Sequence, residues 1–390
     1  MNRFPHLFIH AMEPLLIRSD PIRRIVVKVG SSSVTEDNRA LSHRQMSDIA
    51  QLVASLTADG VETILVSSGA VAAGTHALQL ATKPTTVSLK QSAAAIGQGL
   101  LMQTYTELFR QHGLLAAQIL LTRYDFSRRQ SYNNALDTLE ALLSHRAVPV
   151  INENDTVVLS DHSFGDNDML SALVAALVHA DLLIILTDVD GLYDADPRVF
   201  PSAKRIPLVT EVTDALRGLA TGSGSRVGTG GMAAKVRAAE RALGLGVPVF
   251  VGTARGSLAP ILAGEGAGTY FGEKGSTTAG SSSPGRKLQW IAFHSPVSGR
   301  VTIDEGAARA VRTEQRSLLP AGVITSEGSF NRGDVVELYS SEGLFIGRGI
   351  VNYTSSQLTA ALGRPTSFAR ESLGVARDEV VHRDDLAVMV

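Results

Sequence analysis

Arg24–Gly30 reads RIVVKVG, a nearly continuous apolar run that ends in glycine and gives the strongest indication of the fold. Such a run is typical of a strand that is buried on both faces of a parallel sheet. Outward from it, apolar runs alternate with helical patterns as far as Phe271. The alternation predicts an α/β domain in which helices sandwich an open, mostly parallel sheet.

Length and periodicity place the other elements of this domain. Further strands are predicted at 61–67, 114–121, 147–151, 182–187 and 247–251, and a last short element near 268–271. Helices are predicted at 43–59, 89–112, 129–145, 169–180 and 231–245.

A segment rich in Gly, Ser and Thr, GEKGSTTAGSSSPG at 272–285, separates two regions of different pattern. Its composition is typical of a flexible linker. Beyond it lie short β-type runs, among them WIAFH, GRVTID, DVVELYS and FIGRGIV. The sequence therefore predicts an N-terminal extension (1–23), an α/β domain (24–271), a linker (272–285) and a mostly β domain (286–390). We expect the extension to have no catalytic role, and Met12 is an alternative start.

The composition argues against several classes of protein. The chain has 36 Lys and Arg against 38 Asp and Glu, a formal net charge of -2, so it does not coat nucleic acid by bulk charge. It has no cysteine, which excludes disulfides, thiolate zinc sites and a cysteine nucleophile. No apolar run reaches the ~18 residues of a membrane span, and the first residues make a poor signal peptide. We expect a cytoplasmic protein without a membrane partner.

Five polar clusters follow the predicted strands, at the edge where open α/β sheets bind ligands. The first places Lys28 inside an apolar strand before Gly30. Burying a lysine is costly without an anionic partner, although a position at the sheet edge would also explain it. The second, Ser67–Val71, leads from a strand into a helix. Free N–H groups there can bind an anion, or serine can simply cap the helix.

The third cluster is the most polar, since it combines Asn152–Asp155 with Asp166–Asp168. Its spacing does not match the calcium loop of an EF-hand, which also ends in a glutamate that is missing here. The set better fits a site that recognises an ammonium group, or one that orders a lysine and a metal-bound phosphate. A merely solvated turn is disfavoured by the density of carboxylates and amides.

The last two clusters suit a nucleotide. Thr187 and Asp188 end a strongly apolar strand, where a base and ribose could sit, although Asp and Gly also favour a β-turn. The stretch Thr221–Lys235, TGSGSRVGTGGMAAK, is rich in glycine and opens a helix that carries Lys235. Its N–H groups and helix terminus can hold phosphate oxygens. It is not a Walker A loop, and a mobile surface loop would have the same glycine content.

Together the clusters supply two lysines, glycine-rich segments that can bind phosphate, and an acidic group that can position the lysines. Phosphoryl transfer needs these parts, because it depends on positioning and on positive charge where negative charge develops. No single cluster is specific, but five at one edge of a sheet favour a small-molecule kinase.

Six strings resemble the glutamate 5-kinase family, of the amino-acid kinase superfamily: VVKVGSSS, SSGAVAAG, PVINENDTV, FGDND, TDVDGLYDADPR and GTGGMAAKV. The segment after the linker resembles a PUA domain through TIDEGAARA, SLLPAGV, NRGDVVEL and HRDDL. The resemblance implies ATP-dependent phosphorylation of the γ-carboxylate of L-glutamate to L-glutamyl 5-phosphate, the first step of proline biosynthesis. It also implies Mg²⁺ as a cofactor, feedback inhibition by proline, and a homodimer or homotetramer.

The resemblance also implies roles for individual residues. Lys28 and Lys235 would stabilise the transferring phosphoryl group, while Asp166 and Asp168 would order the lysines and the magnesium environment. The residues implied for substrate binding are Ser68, Gly69, Asp155 and Asn167. Those implied for ATP binding are Lys28, Thr187, Asp188, Thr229, Gly230, Gly231, Met232, Ala233, Ala234 and Lys235. No metal ligand is assigned.

Two alternatives stay open. Another amino-acid kinase, acting on aspartate or acetylglutamate, would share the fold and mechanism. An RNA-binding protein that acts through its PUA domain is the second alternative. Arg309, Arg312 and Arg316 could share one helix face, but the region 286–390 has 12 Lys and Arg and 12 Asp and Glu. Since that region is neutral, we predict no nucleic-acid partner.

Overall fold

The computed structural model describes residues 21–158, 166–197, 199–222, 231–254, 257–272, 286–293, 295–364, 366–375 and 377–388. These residues fall into two compact units, divided along the chain as Met1–Arg123 with Asn134–Gly280, and Tyr124–Asn133 with Ser281–Val390. The domain boundaries given above stay a prediction.

The first unit is built on an eight-stranded sheet. Its strands are β1 (Arg24–Val29), β2 (Glu62–Ser67), β3 (Leu115–Leu121), β4 (Ala147–Glu153), β5 (Leu182–Leu186), β6 (Leu208–Val209), β7 (Val249–Gly252) and β8 (Gly268–Phe271). Their order across the sheet is β3-β4-β2-β1-β5-β7-β8-β6. Neighbouring strands run parallel except β7 and β8, which are antiparallel. The predicted mostly parallel α/β fold is confirmed.

Helices connect these strands. Those described between residues 21 and 272 are α1 (His43–Ala58), α2 (Ala70–Ala77), α3 (Val87–Gln111), α4 (Arg123–Ser127), α5 (Arg129–Ser144), α6 (Asn167–Leu177), α7 (Asp214–Gly222), α8 (Met232–Gly244) and α9 (Ala259–Leu262). None of the described helices has both the length and the apolar content needed to cross a bilayer.

The core of the first unit lies along its central strands. Every residue of β4 and β5 is buried, as is every residue of β1 after Arg24. This burial on both faces is why these strands are nearly continuous apolar runs. Complete burial of one such side chain stabilises the folded state by about 1.5–3 kcal/mol. Because the apolar positions stabilise the sheet in this way, polar residues can occupy its carboxyl edge.

Helices α2 and α3 approach each other closely because glycines face the contact. A Cβ atom added to Gly74 would lie 1.7 Å from the carbonyl oxygen of Ala93. A Cβ atom on Gly97 would lie 1.8 Å from the carbonyl oxygen of Ala70. Glycine is therefore required at both positions, and the contact fixes α3 beside the start of α2.

The second unit contains a five-stranded sheet. Its strands are β9 (Val297–Ile303), β10 (Val323–Gly328), β11 (Val335–Ser340), β12 (Phe345–Val351) and β13 (Val381–Val388), in the order β10-β9-β11-β12-β13. Only the β9–β11 pair is parallel. The described helices of its C-terminal part are α10 (Arg286–Phe293), α11 (Glu305–Arg312), α12 (Ser355–Ala361) and α13 (Thr366–Leu373). The small, mostly β C-terminal region is confirmed.

The prediction of a β-type run at WIAFH is wrong, because residues 290–293 form the end of α10. Trp290 and Ile291 are buried, and the indole N–H of Trp290 donates to the carbonyl oxygen of Phe126 at 3.2 Å. A short apolar run has no periodicity that separates a buried strand from a buried helix, which explains the error.

Candidate active site

The candidate site lies at the carboxyl ends of four neighbouring strands, β4, β2, β1 and β5. In register, Lys28 of β1 lies between Val66 of β2 and Ile185 of β5, and Val66 lies beside Ile151 of β4. Because these strands are parallel, the residues that follow them meet at one edge of the sheet. Four of the five clusters seen in the sequence begin at these strand ends.

One buried carboxylate joins the two predicted lysines. Nζ of Lys28 lies 2.5 Å from Oδ1 of Asp168, and Nζ of Lys235 lies 3.2 Å from Oδ2 of the same carboxylate. Asp168 is fully buried, and the two lysines are only 4% and 8% exposed. The structure thus brings together residues that are 140 and 67 positions apart in the chain. They form a fixed pair of cations at the edge of the sheet.

The electrostatics of this cluster follow from its burial. Burial lowers the pKa of Lys28, and the like charge of Lys235 lowers it further, while the Asp168 carboxylate opposes both effects. A buried ammonium group without a counter-ion would lose its proton. Asp168 is therefore the group that keeps positive charge in this position.

The start of α6 determines where Asp168 points. The side chain of Asp166 caps the helix, since its Oδ1 accepts a hydrogen bond from the N–H of Met169 at 3.0 Å. The helix thus begins at Asn167, two residues before the predicted start, and Asp168 lies in its buried first turn. Burial raises the pKa of Asp166, and the nearby Asp168 carboxylate raises it further.

Asn167 connects this helix to the end of β2. Its amide Nδ2 lies 3.0 Å from the carbonyl oxygen of Ser67, 2.9 Å from Oγ of Ser68 and 2.8 Å from Oδ1 of Asn152. Two of the residues predicted to bind substrate, Ser68 and Asn167, are therefore in direct contact. The hydroxyl of Ser68 and the carboxamide of Asn167 supply polar atoms at the same edge as the lysines.

The amide contacts continue behind Asn152 into residues that the sequence analysis missed. Nδ2 of Asn152 donates to Oε1 of Gln98 at 2.9 Å, and Nε2 of Gln98 donates to Oε1 of Gln118 at 3.0 Å. Asn152 and Gln98 are both buried. This row of amides, from Gln118 to Asn167, fixes the orientation of each side chain in it. Gln118 is exposed on β3, and nothing in the sequence indicates that Gln98, a polar residue on a helix, is buried.

The other predicted substrate residues lie nearby. Asp155 follows β4 in a turn, and its Oδ1 lies 3.3 Å from Nζ of Lys90 on α3. Gly69 precedes α2 with φ of 108°, a left-handed conformation that favours glycine. A side chain there would also collide with Val34, whose Cγ2 would lie 2.6 Å from the added Cβ.

Thr187 and Asp188 follow β5, the strand next to β1. Oγ1 of Thr187 donates to Oδ1 of Asp188 at 3.1 Å, and the N–H of Thr187 donates to the carbonyl oxygen of Gly252 at 3.0 Å. Thr187 is half-buried and Asp188 is exposed, so their polar atoms are available to a ligand.

The predicted phosphate-binding stretch is described only in part. Thr229 and Gly230 lie outside the described residues. Gly231 is the N-terminal cap of α8, and Met232, Ala233 and Ala234 precede Lys235 in the first turn of that helix. The free N–H groups of a helix start favour a phosphate, and here Lys235 adds a charge one turn away.

Profiles of two known families match the chain. The amino acid kinase family matches residues 23–253, and the PUA domain matches residues 299–369. The first match contains the described residues of the candidate site.

Curated relatives match almost the whole chain. The glutamate 5-kinase of Halalkalibacterium halodurans is 49% identical over 368 residues, which cover 94% of this chain and 97% of the relative. The glutamate 5-kinase of Geobacillus thermodenitrificans is 48% identical over 365 residues, covering 93% and 96% respectively. Glutamate 5-kinase 1 of Bacillus licheniformis is also 48% identical, over 93% of this chain and 98% of its own.

Proposed function

We propose that this chain, which belongs to the glutamate 5-kinase family within the amino acid kinase family, phosphorylates L-glutamate. The γ-phosphoryl group of ATP would pass to the γ-carboxylate, giving L-glutamyl 5-phosphate and ADP. This acyl phosphate would be the first intermediate of proline biosynthesis. The observation that carries the proposal is the buried Asp168, which holds Lys28 and Lys235 together at the edge of the sheet.

The chemistry needs no general base. The γ-carboxylate is ionised at neutral pH and is itself the nucleophile. One of its oxygens attacks the γ-phosphorus, the bond from that phosphorus to the β,γ-bridging oxygen breaks, and ADP leaves. What the protein must supply is alignment of the two substrates and positive charge near the transferring oxygens.

The described residues can meet these two needs. Lys28 and Lys235 would place their ammonium groups on the oxygens of the transferring phosphoryl group, with Asp168 holding both in position. Ser68 and Asn167, which are hydrogen-bonded to each other, would orient the glutamate at the end of β2.

The nucleotide would lie on the other side of the lysines. We propose that Thr187 and Asp188 contact its base and ribose, since they follow β5 and are accessible. The phosphates would lie against the start of α8, on the stretch from Thr229 to Lys235.

Magnesium fits this site together with the nucleotide. Among the residues that the structure describes, no three His, Cys, Asp or Glu side chains gather into a metal site. Mg²⁺ is usually held by one or two carboxylates together with substrate phosphates and water. Asp166 is the carboxylate beside the cluster that could hold it, because Asp168 already binds two lysines. When bound, the ion would offset the negative charge of the phosphates.

Several finer properties belong to the same proposal. Proline shares the ammonium and carboxylate groups of glutamate, so it would compete around Asp155 and Asn167. It should then raise the apparent KM for glutamate and leave kcat unchanged, and an unaltered KM would exclude competition. We further propose a cytoplasmic homodimer or homotetramer, with the kinase domain at 24–271 and the PUA domain at 286–390.

The direct test is ATP turnover with L-glutamate and Mg²⁺ in the presence of hydroxylamine, which traps an acyl phosphate as a hydroxamate. Aspartate and N-acetylglutamate serve as alternative substrates. Hydroxamate from glutamate alone, lost in Lys235→Ala, is the expected result. Hydroxamate from another substrate would retain the mechanism and reassign the substrate site, while no hydroxamate from any of them would contradict the proposed reaction.

A further inference from the structure

Lys90 and Asp155 form an ion pair beside the proposed glutamate site. Nζ of Lys90 lies 3.3 Å from Oδ1 of Asp155. The Asp155 side chain is 18% exposed, whereas that of Lys90 is 48% exposed. The carboxylate is thus enclosed, and the lysine approaches it from the solvent side.

The backbones on both sides of this pair are fixed by other contacts. Lys90 lies in the first turn of α3, whose N-terminal cap is Thr86. The neighbouring Gln91 donates from Nε2 to the carbonyl oxygen of Val158 at 3.3 Å, which ties α3 to the loop after β4. At the other end of that loop, the N–H of Asn154 donates to the carbonyl oxygen of Leu121 at 3.0 Å. The lysine therefore stays near Asp155 even when the ion pair is open.

Opening the pair costs little when another cation takes the place of Lys90 beside the enclosed Asp155 carboxylate. A half-exposed lysine that leaves a carboxylate regains water, and ion pairs near the surface contribute little to stability. The ammonium group of Lys90 can turn about its flexible stem, while Asp155 keeps its position. The pair can therefore admit a small charged group between its members.

The α-amino acid head of glutamate has matching charges. Its ammonium group suits Asp155, and its adjacent α-carboxylate suits an ammonium group on the opposite side. We propose that Lys90 binds the α-carboxylate of the substrate, so that the ion pair opens to receive the amino acid head. The inference rests on the proposed function, because it assigns the second charge of the same substrate. Lys90 would then select for acceptors that carry a charged α-carboxylate.

The test uses Lys90→Met, which keeps the apolar stem and removes the charge. We expect KM for L-glutamate to rise about tenfold with kcat within about twofold, as loss of one charge-assisted hydrogen bond predicts. Lys90→Arg should retain a KM close to that of the unchanged protein. The control is Arg110→Met, which removes an exposed charge from the same helix about 30 Å away, given the rise of an α-helix. Its KM should not change.

A second measurement separates the contribution of the α-carboxylate to binding from that of the rest of the substrate. L-Glutamate α-amide keeps the ammonium group and the γ-carboxylate but has no α-charge, and its inhibition constant against glutamate can be measured. Lys90→Met should leave this constant within about twofold, since the lost hydrogen bond is made only to glutamate. Equal losses for amide and glutamate would overturn the proposal.

Two other results would also overturn it. An unchanged KM in Lys90→Met would mean that the lysine is only a solvated surface charge. A lowered KM would mean that Lys90 competes with the substrate ammonium for Asp155. In both cases the unchanged protein would still form glutamyl hydroxamate, whereas failure of the proposed function would abolish that product in the unchanged protein itself.

Discussion

Replacing Asp168 by Asn tests the lysine cluster most severely, because it removes one charge that two buried cations share. The Nζ–Oδ distances of 2.5 Å and 3.2 Å correspond to attractions of about 7 and 5 kcal/mol at an effective dielectric constant of ~20. Most of this attraction offsets the desolvation of the three groups. Removing one partner of a buried pair typically costs about 3–5 kcal/mol, and we expect a loss of stability in that range.

The effect on turnover should be larger than the effect on folding. Asp168 is the main group that opposes the effects of burial and of the Lys235 charge, and Asp166 opposes them less, so without Asp168 the pKa of Lys28 falls further below its ordinary value. Removing one preorganised group that stabilises the transition state lowers kcat by about 10²–10³-fold. Both lysines depend on Asp168, so its replacement should affect both. We therefore expect kcat to fall by at least about 10³ in Asp168→Asn, measured by hydroxamate formation on protein whose folding is verified by thermal unfolding.

Two companion variants make this result interpretable. Asp181 precedes β5 at the opposite end of the sheet, where its Oδ2 accepts from the N–H groups of Arg23 and Arg24. Asp181→Asn should lower stability and leave kcat unchanged. Adding Lys28→Met to Asp168→Asn removes an uncompensated charge, so stability should recover while activity stays low. A folded Asp168→Asn protein that retains kcat within about tenfold would contradict this role of Asp168, since it would show that neither lysine needs the carboxylate.

Three further changes have definite expected results. Asn167→Leu should raise KM for glutamate by about tenfold or more, and an unchanged KM would remove Asn167 from the substrate site. Gln98→Leu leaves the buried amide of Asn152 without its acceptor, so urea denaturation should show a loss of about 1–3 kcal/mol. A loss below about 0.5 kcal/mol would mean that the amide finds another partner. Gly74→Ala should cost about 3 kcal/mol or more, because its Cβ would lie 1.7 Å from the Ala93 carbonyl oxygen, and stability close to that of the unchanged protein would contradict the helix contact.

Much of the α/β fold could be predicted from sequence, since buried strands and long helices are marked by period and length. The least predictable elements were the short ones. The two-residue strand β6 is too short to show alternation, and the antiparallel direction of β8 depends on its pairing with β7. The helix α10 was assigned to the wrong class because a brief apolar run suits a buried strand equally well.

The candidate site was predictable as a set of residues but not as a set of contacts. Lys28, Asp168 and Lys235 could be named from their surroundings in the sequence. Their common contact depends on how α6 and α8 pack at the end of β1, which no local pattern encodes. Gln98 was missed for a related reason, since its burial depends on how α3 packs against the sheet, where its side chain contacts Gln118 of β3 and Asn152 of β4. A buried glutamine and a solvated one look the same in sequence.

In the proposed reaction the γ-carboxylate of glutamate attacks the γ-phosphorus of ATP, and an isotope experiment can follow the oxygen atom that it transfers. Glutamate labelled with ¹⁸O in both oxygens of its γ-carboxylate is incubated with ATP, Mg²⁺ and hydroxylamine, and the released phosphate is analysed by mass spectrometry. Each phosphate released with the hydroxamate should carry one ¹⁸O atom, which bridged carbon and phosphorus in the acyl phosphate. Phosphate without the label would mean that water, and not the carboxylate, receives the phosphoryl group.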